Sequence, residues 1–298
     1  MTTFLSGSAY PTADENIAQV FCRFSPSSDS KAKSPATATG TVPNEPHRDG
    51  QPGALQTFTF RATLSTLFPL SIRTTAQAVI CAVKAMTQPL RIDFVSDIAC
   101  PWCAIGLSSL QMALTRLGDA VDAEIVVHPF ELNPEMPPGG EAIVDYVGKK
   151  YGRTPAQVAE AQVMIRERGA SVGFEFGPRN RIYNTFDAHR LLQWAAIEGK
   201  QVPLKLALLR AYHGEGKDPS NHDVLVDAAE SVGLNAAEAR KVLQGNNYAD
   251  EVRAEEGQYQ SMGIQSVPAI IFNNRYLVSG GQPVEAFEQA IQQILAEA

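Results

Sequence analysis

Cysteine is scarce in this chain. Four occur in 298 residues, too few to staple a scaffold of this size, so the fold has to come from an apolar core. Cys22 and Cys81 lie far upstream of the other two, and a structural bridge between them is left open. No apolar run reaches the length needed to span a bilayer. Met1-Thr2-Thr3-Phe4-Leu5 has neither the basic start nor the apolar core of a secretory signal. Together these absences point to the cytoplasm and away from membranes. A basic stripe is also missing. Formal net charge is −7 and the pI is near 5.3. Seven basic and five acidic side chains precede Met86, so the remainder stands at −9, which argues against nucleic acid as a partner. There is no internal repeat. A structural zinc site needs about four ligands; there is no second cysteine pair at finger-like spacing, and His128, His189, His213 and His222 are scattered, so no metal is expected.

What is present is enough apolar residue, 44%, to build a proper core. From Ser25 to Gln56 about half the residues are Ser, Pro, Thr or Gly, the composition of a linker. Residues 58 to 85 are basic and hydroxyl-rich, like a transit peptide in the wrong place. The expectation is that residues 1–86 form a poorly structured extension, with Met86 a candidate natural start. Leu90 to Ser96 then reads as a short buried strand, ended by Ser96-Asp97. Trp102, Ile105, Leu110, Leu114 and Leu117 recur at helical spacing until Gly118. Ala123 to His128 reads as a second strand, broken by Pro129, before a proline-rich loop from Phe130 to Gly140.

A long helical block follows. Glu141 to Tyr151, Pro155 to Val172, Thr185 to Glu198, Leu204 to Tyr212, Val224 to Val232, Ala236 to Leu243 and Tyr248 to Met262 carry helical periods, several ending at glycine. Leu204 to Leu209 reads simply as core. Pro268 to Phe272 and Arg275 to Ser279 are strands joined by Asn273-Asn274, a two-residue hairpin turn. Pro283 opens a last helix with Val284, Phe287, Ile291, Ile294 and Leu295 on one face. Without the block the order is β-α-β then β-β-α. The fold class is therefore α/β, with residues 87–138 and 263–298 forming one domain and 139–262 an inserted helical domain.

Between the first strand and its helix stands Cys100-Pro101-Trp102-Cys103. Pro101 suits the first helical turn. Unpaired N–H groups and the positive end of the helix dipole favour a thiolate at Cys100. Cys103 follows one turn later, close enough to resolve a mixed disulfide. A dithiol at a strand-to-helix junction is a redox site.

These features resemble the DsbA-like branch of the thioredoxin superfamily, in which a helical domain interrupts a thioredoxin fold, and within it the FrnE-like oxidoreductases. The resemblance rests on Ile92 to Cys103, Phe130-Glu131-Leu132-Asn133-Pro134, Asn184 to Arg190, Gly263 to Pro268 and Val278 to Pro283. It implies that Val267-Pro268 is a cis peptide facing the cysteines, leaving the Val267 backbone free to pair with an extended peptide or glutathione; an ordinary trans proline at a strand start is the alternative. It implies thiol–disulfide exchange with protein or small-molecule thiols, Cys100 as nucleophile and Cys103 as resolving thiol. No bound cofactor is implied, and glutathione is the co-substrate it suggests. Some FrnE-like proteins carry a further C-terminal cysteine pair, absent here, so no relay through one exists. Related chromene-carboxylate isomerases and kappa-class glutathione transferases typically have serine where Cys100 stands. A glutathione-dependent isomerase or transferase is therefore the second reading, and a redox-sensing peptide-binding module the third.

The remaining candidates support the pair. Trp102 adds bulk without charge, from which a less oxidising couple than in periplasmic relatives is expected. Asp93 interrupts an apolar strand, either as a hydrogen-bonded structural carboxylate or as a buried proton acceptor for Cys103. Asp97 reads as a loop cap. Asn184, His189 and Arg190 are candidate substrate contacts, with a packed, hydrogen-bonded pair as the alternative for His189 and Arg190. Oligomeric state is not legible.

Overall fold

The computed structural model describes residues 21–23, by their backbone, and residues 88–297. Strand β1 is Phe21–Arg23 and β2 is Gln88–Ser96. Helix α1 spans Pro101–Leu117, and β3 spans Val121–Pro129. After the insertion come β6 (Ala269–Phe272), β7 (Tyr276–Ser279) and the final helix α9 (Val284–Ala296). The sheet order is β1-β7-β6-β2-β3. Strand β2 pairs in parallel with β3, Ile92 opposite Ile125, and antiparallel with β6, Ile92 opposite Phe272. This central position explains its unbroken burial from Ile92 to Ser96. Asn273 and Asn274 take φ of 51° and 53°, the left-handed pair a tight hairpin turn requires.

The strands divide their side chains between two faces. Leu90, Ile92, Phe94, Ile270 and Phe272 join Leu107 and Leu110 of α1 and Phe287 and Ile291 of α9 in one cluster. Val95, Ala269 and Ile271 face the other way, with Phe130, Tyr259 and Ile264. Helix α1 stops at Gly118, whose φ of 58° suits a residue without Cβ.

Within the insertion lie β4 (Glu141–Ala142), α2 (Ile143–Tyr151), α3 (Pro155–Ala170), β5 (Arg181–Ile182) and α4 (Phe186–Ile197). They are followed by α5 (Gln201–Leu209), α6 (His222–Ser231), α7 (Ala236–Gln244) and α8 (Ala249–Ser261). Thr154 caps α3 in a full capping box with Gln157. Helix α5 runs on into a π-helical turn, Arg210–Gly214. The main apolar cluster is continuous from the sheet into the insertion, taking in Leu191, Leu204, Leu208 and Leu225. Burying a leucine of this kind contributes about 1.5–3 kcal/mol, so the inserted helices and the sheet share one core.

Two expectations change. The insertion is not all helical: Glu141 and Ala142, read as the start of a helix, pair antiparallel with Ile182 and Arg181. Gly140, at φ 66°, brings the chain so close to this ribbon that a Cβ there would sit 2.1 Å from the Ile182 carbonyl oxygen. The extension is also not wholly separate from the fold. Phe21–Arg23 pairs antiparallel with β7, Phe21 opposite Val278, covering backbone that would otherwise be an open sheet edge. The other expectations for residues 1–86, including the linker, the transit-peptide-like stretch and a Cys22–Cys81 bridge, lie outside the described residues. Among the described residues, no helix is long and apolar enough to cross a membrane.

Candidate active site

The site forms where β2 ends. Asp97 accepts from the Ala99 N–H at 3.0 Å, which bends the chain and sets Cys100 in the N-cap position of α1, at φ −87° and ψ 115°. Pro101 opens the helix, where its missing N–H leaves no bond unmade. Cys100 and Cys103 are both free thiols, 4% and 0% exposed, while Pro101 and Trp102 between them are half-buried.

Across from them, the Val267–Pro268 peptide is cis, and the Cys100 Sγ lies 3.5 Å from the Val267 carbonyl oxygen. The Gly280 N–H donates to the Pro268 carbonyl at 2.8 Å. The packing is tight on this side: a Cβ on Gly106 would stand 3.2 Å from Pro268 Cγ, and one on Gly281 would stand 2.8 Å from the Trp102 carbonyl oxygen. The start of α1, the proline and the Gly280-Gly281 loop are thus in direct contact.

The two thiols differ electrostatically. A hydrogen bond from Cys103 holds the Cys100 thiol below its ordinary pKa against the effect of burial, helped by the Cys103 and Trp102 N–H groups. Burial, followed by the neighbouring Cys100, pushes Cys103 well up. One sulfur is set up as an anion and the other as its hydrogen-bond donor.

The carboxylate that faces this pair is Asp97, not Asp93. Asp97 is fully buried and also accepts from the Leu132 N–H and the Thr185 hydroxyl, each at 2.8 Å. His189 Nε2 stands 3.5 Å from it. Burial raises the Asp97 pKa, but His189 and the backbone donors outweigh that and leave it lowered. Asp93 sits one strand position over from Ile92 and Phe94 and so points to the face of the sheet opposite α1. There it binds Arg91 at 2.7 Å and His128 Nε2 at 2.9 Å. The proton-acceptor reading for Cys103 gives way to the structural alternative.

Of the three candidate substrate contacts, His189 lies beneath the site against Asp97 and is 1% exposed. Asn184 ties the Phe130–Pro134 loop to α4, donating to Pro134 O at 3.1 Å and accepting from Phe186 N at 2.9 Å. Arg190 is buried, and its guanidinium binds the carbonyls of Val242, Gly245 and Asn247 and the Asp187 carboxylate. It fastens the end of α7, which is the packed, hydrogen-bonded role and not the substrate contact.

Several groups at the site escaped the sequence reading. Arg179 Nη1 donates to the Ala99 carbonyl at 3.2 Å and to the Tyr212 hydroxyl at 3.0 Å. His213 Nε2 donates to the Ile98 carbonyl at 2.8 Å. Both clamp the loop that delivers Cys100, and Tyr212 and His213 belong to the π-helical turn, a feature that often marks functional sites. Lys205, inside the run read as plain core, is completely buried. A lone cation in a helix apolar all round was the available signal.

Comparison with known proteins identifies the fold. A probable DsbA oxidoreductase from Streptomyces coelicolor is 33% identical, with a TM-score of 0.65, over 70% of this chain and 91% of that one. The uncharacterized protein YwbO of Bacillus subtilis is 25% identical over 68% of this chain and 96% of its own length. A 2-hydroxychromene-2-carboxylate isomerase shares the fold at 14% identity and a TM-score of 0.54, over 70% of this chain and 97% of that one. Residues 91–292 match the DSBA-like thioredoxin domain, and the chain belongs to that family.

Proposed function

We propose that this chain is a thiol–disulfide oxidoreductase working through Cys100 and Cys103. The observation that carries the reading is the asymmetry of the pair: Cys100 at the helix N-terminus beside the Val267 carbonyl, Cys103 sealed behind it as a thiol.

In the reductive direction the Cys100 thiolate attacks a substrate disulfide, a Cys100–substrate bond forms, and one substrate thiolate leaves. Cys103 loses its proton and attacks the Cys100 sulfur, closing Cys100–Cys103 and releasing the second substrate thiolate. Two electrons pass to the substrate, and two equivalents of a thiol such as glutathione restore the dithiol and leave as their disulfide. Run backwards, the same steps oxidise a substrate dithiol. Val267, half-buried with Ser266 and Gln265 exposed before it, offers its backbone to an extended peptide or to glutathione beside the reacting sulfur. Trp102 and Pro268 wall the site, and the cytoplasm is the compartment this reading assigns.

The test is turnover of insulin or glutathione disulfide by wild type, Cys100→Ser and Cys103→Ser. Both substitutions are expected to abolish steady-state turnover. Full turnover by Cys103→Ser would overturn the dithiol cycle in favour of a monothiol, glutathione-dependent reaction. Wild-type turnover by both would leave only a binding role.

A further inference from the structure

Lys205 lies in the middle of α5, between Leu204 and Leu206 and one turn from Leu208 and Leu209. It is 0% exposed, and its Nζ has no hydrogen-bond partner among the described residues. An ammonium in that position is destabilising, and an apolar side chain of similar volume would pack there better. The titratable groups it faces are those of the active site, Cys103, Asp97 and Cys100, with His213 on the π-helical turn, and its Nζ makes no direct hydrogen bond to either sulfur.

We propose that Lys205 is the proton acceptor that turns Cys103 into the resolving nucleophile. The assignment rests on the dithiol reading above and adds the group that removes the Cys103 proton. The other titratable groups facing this space are poor alternatives. Asp97 already accepts from Ala99 N, Leu132 N and the Thr185 hydroxyl, and those donors make it a weak base. His213 holds its Nε2 proton on the Ile98 carbonyl; its Nδ1 is also without a partner, but burial with the nearby Arg179 pushes its pKa well down and makes it a weak base. Lys205 has an unengaged nitrogen, and burial brings its pKa down to about 8, close to the working range of a general base.

The step balances. In the mixed disulfide, the neutral Lys205 amine takes the Cys103 proton through one bridging water and becomes ammonium. The Cys103 sulfur bonds to the Cys100 sulfur, the Cys100–substrate bond breaks, and the substrate leaves as a thiolate with the electron pair. The ammonium then returns its proton to that thiolate or to water. Joining Cys100 to substrate removes a negative charge that had favoured the ammonium, so the amine becomes easier to deprotonate at the moment it is needed.

The experiment uses reduced protein mixed rapidly with 5,5′-dithiobis(2-nitrobenzoate). Attack by Cys100 releases one thionitrobenzoate in a concentration-dependent phase. Resolution by Cys103 releases the second in a phase independent of reagent concentration. In wild type the second phase is expected to rise with pH and level off through an inflection below the Lys205 value of about 8, because Cys100 carries no charge in the mixed disulfide. In Lys205→Met the ratio of second-phase to first-phase rate is expected to fall about a hundredfold near neutral pH, the scale of one general base, and the inflection to vanish. Lys205→Arg, which keeps the charge but cannot accept a proton, is expected not to rescue it. A second phase in Lys205→Met within about threefold of wild type, or rescue by Lys205→Arg, overturns the proposal. Should the variants not fold, a wild-type second phase that climbs without an inflection to above about pH 9 does the same. A wild type that releases only one equivalent overturns the dithiol cycle itself, a failure distinct from that of Lys205.

Discussion

The Cys100 sulfur and the Val267 carbonyl oxygen, 167 residues apart in sequence, stand 3.5 Å apart in space. One is delivered by the end of β2 and the start of α1, the other by the segment entering β6. Strands β2 and β6 are hydrogen-bonded neighbours, Val95 opposite Ala269, so the sheet itself sets this approach. A disulfide that reaches Cys100 therefore meets the Val267 backbone at the same time.

The difference between the two thiols makes alkylation selective. Cys103 holds Cys100 down in pKa by donating to it, while Cys103 itself is held up by burial. Iodoacetamide at neutral pH is expected to label Cys100 and leave Cys103 largely unmodified, read by peptide mass analysis. Cys103→Ala removes the donor, so the midpoint of Cys100 alkylation should move to higher pH. A midpoint that stays in place or moves down would show that the helix N-terminus alone sets the Cys100 pKa.

Gly281 is the position at which the smallest added group does the most damage to the site. Its Cβ would stand 2.8 Å from the Trp102 carbonyl oxygen and 3.3 Å from Trp102 Cε3. Backbone on both sides has to give, and overpacking of this kind costs about 1–3 kcal/mol. Gly281→Ala is expected to lower Tm and, by moving the first turn of α1 against Pro268, to reduce disulfide turnover about tenfold or more, since a displacement of about 1 Å at a reacting centre has effects on that scale. Gly257, exposed in the interior of α8, carries no such contact, and Gly257→Ala is the control that should keep wild-type turnover and raise Tm slightly.

Local pattern was a good guide where one residue type has one physical consequence. The Leu90–Ser96 strand, Pro101 at the start of α1, Gly118 at its end and the Asn273-Asn274 turn all follow from such rules. The site was harder because its parts converge from distant segments. Periodicity marks Asp93 as unusual but does not say which sheet face it takes until the strand order is known. Lys205 is one letter in an apolar run, and only the position of α5 brings it to Cys103. Arg190 looks like a functional arginine until the carbonyls of Val242, Gly245 and Asn247 are seen around it. Pairing of Phe21–Arg23 with β7 is a long-range event with no local signature.

Arg190 separates stability from chemistry. Its guanidinium binds three backbone carbonyls between 2.5 and 2.9 Å and Asp187 at 2.7 Å. Arg190→Met leaves those acceptors unpaired and is expected to cost about 3 kcal/mol in urea unfolding. The pH midpoint of Cys100 alkylation should not change, because none of these partners faces the sulfurs. A normal unfolding curve with a raised KM would restore Arg190 as a substrate contact.

The opposite face of the sheet makes stability depend on pH in both directions. His128 donates one ring nitrogen to Asp93 at 2.9 Å and the other to Glu255, with the Tyr259 ring packed at 4.7 Å. Burial lowers the His128 pKa, but the hydrogen bonds to Asp93 and Glu255 outweigh it and leave it raised. Burial raises the Asp93 pKa, but His128 and Arg91 outweigh it and leave it lowered. Since folding raises the His128 pKa, its stabilisation is complete below the unfolded value of about 6.5 and fades as pH climbs through the folded one. Since folding lowers the Asp93 pKa, its stabilisation is complete above about 3.9 and fades as pH falls through the folded one. Both contributions are therefore present together between about pH 4 and pH 6.5. Tm is expected to fall as pH is raised above that window, and His128→Asn, which cannot carry the charge, should flatten this alkaline limb. Near pH 6 His128→Ala is expected to cost about 3 kcal/mol, because it leaves Asp93 buried with one partner fewer. Parallel Tm-against-pH curves for wild type and His128→Asn would show that this histidine is neutral in the fold and that Arg91 alone balances Asp93.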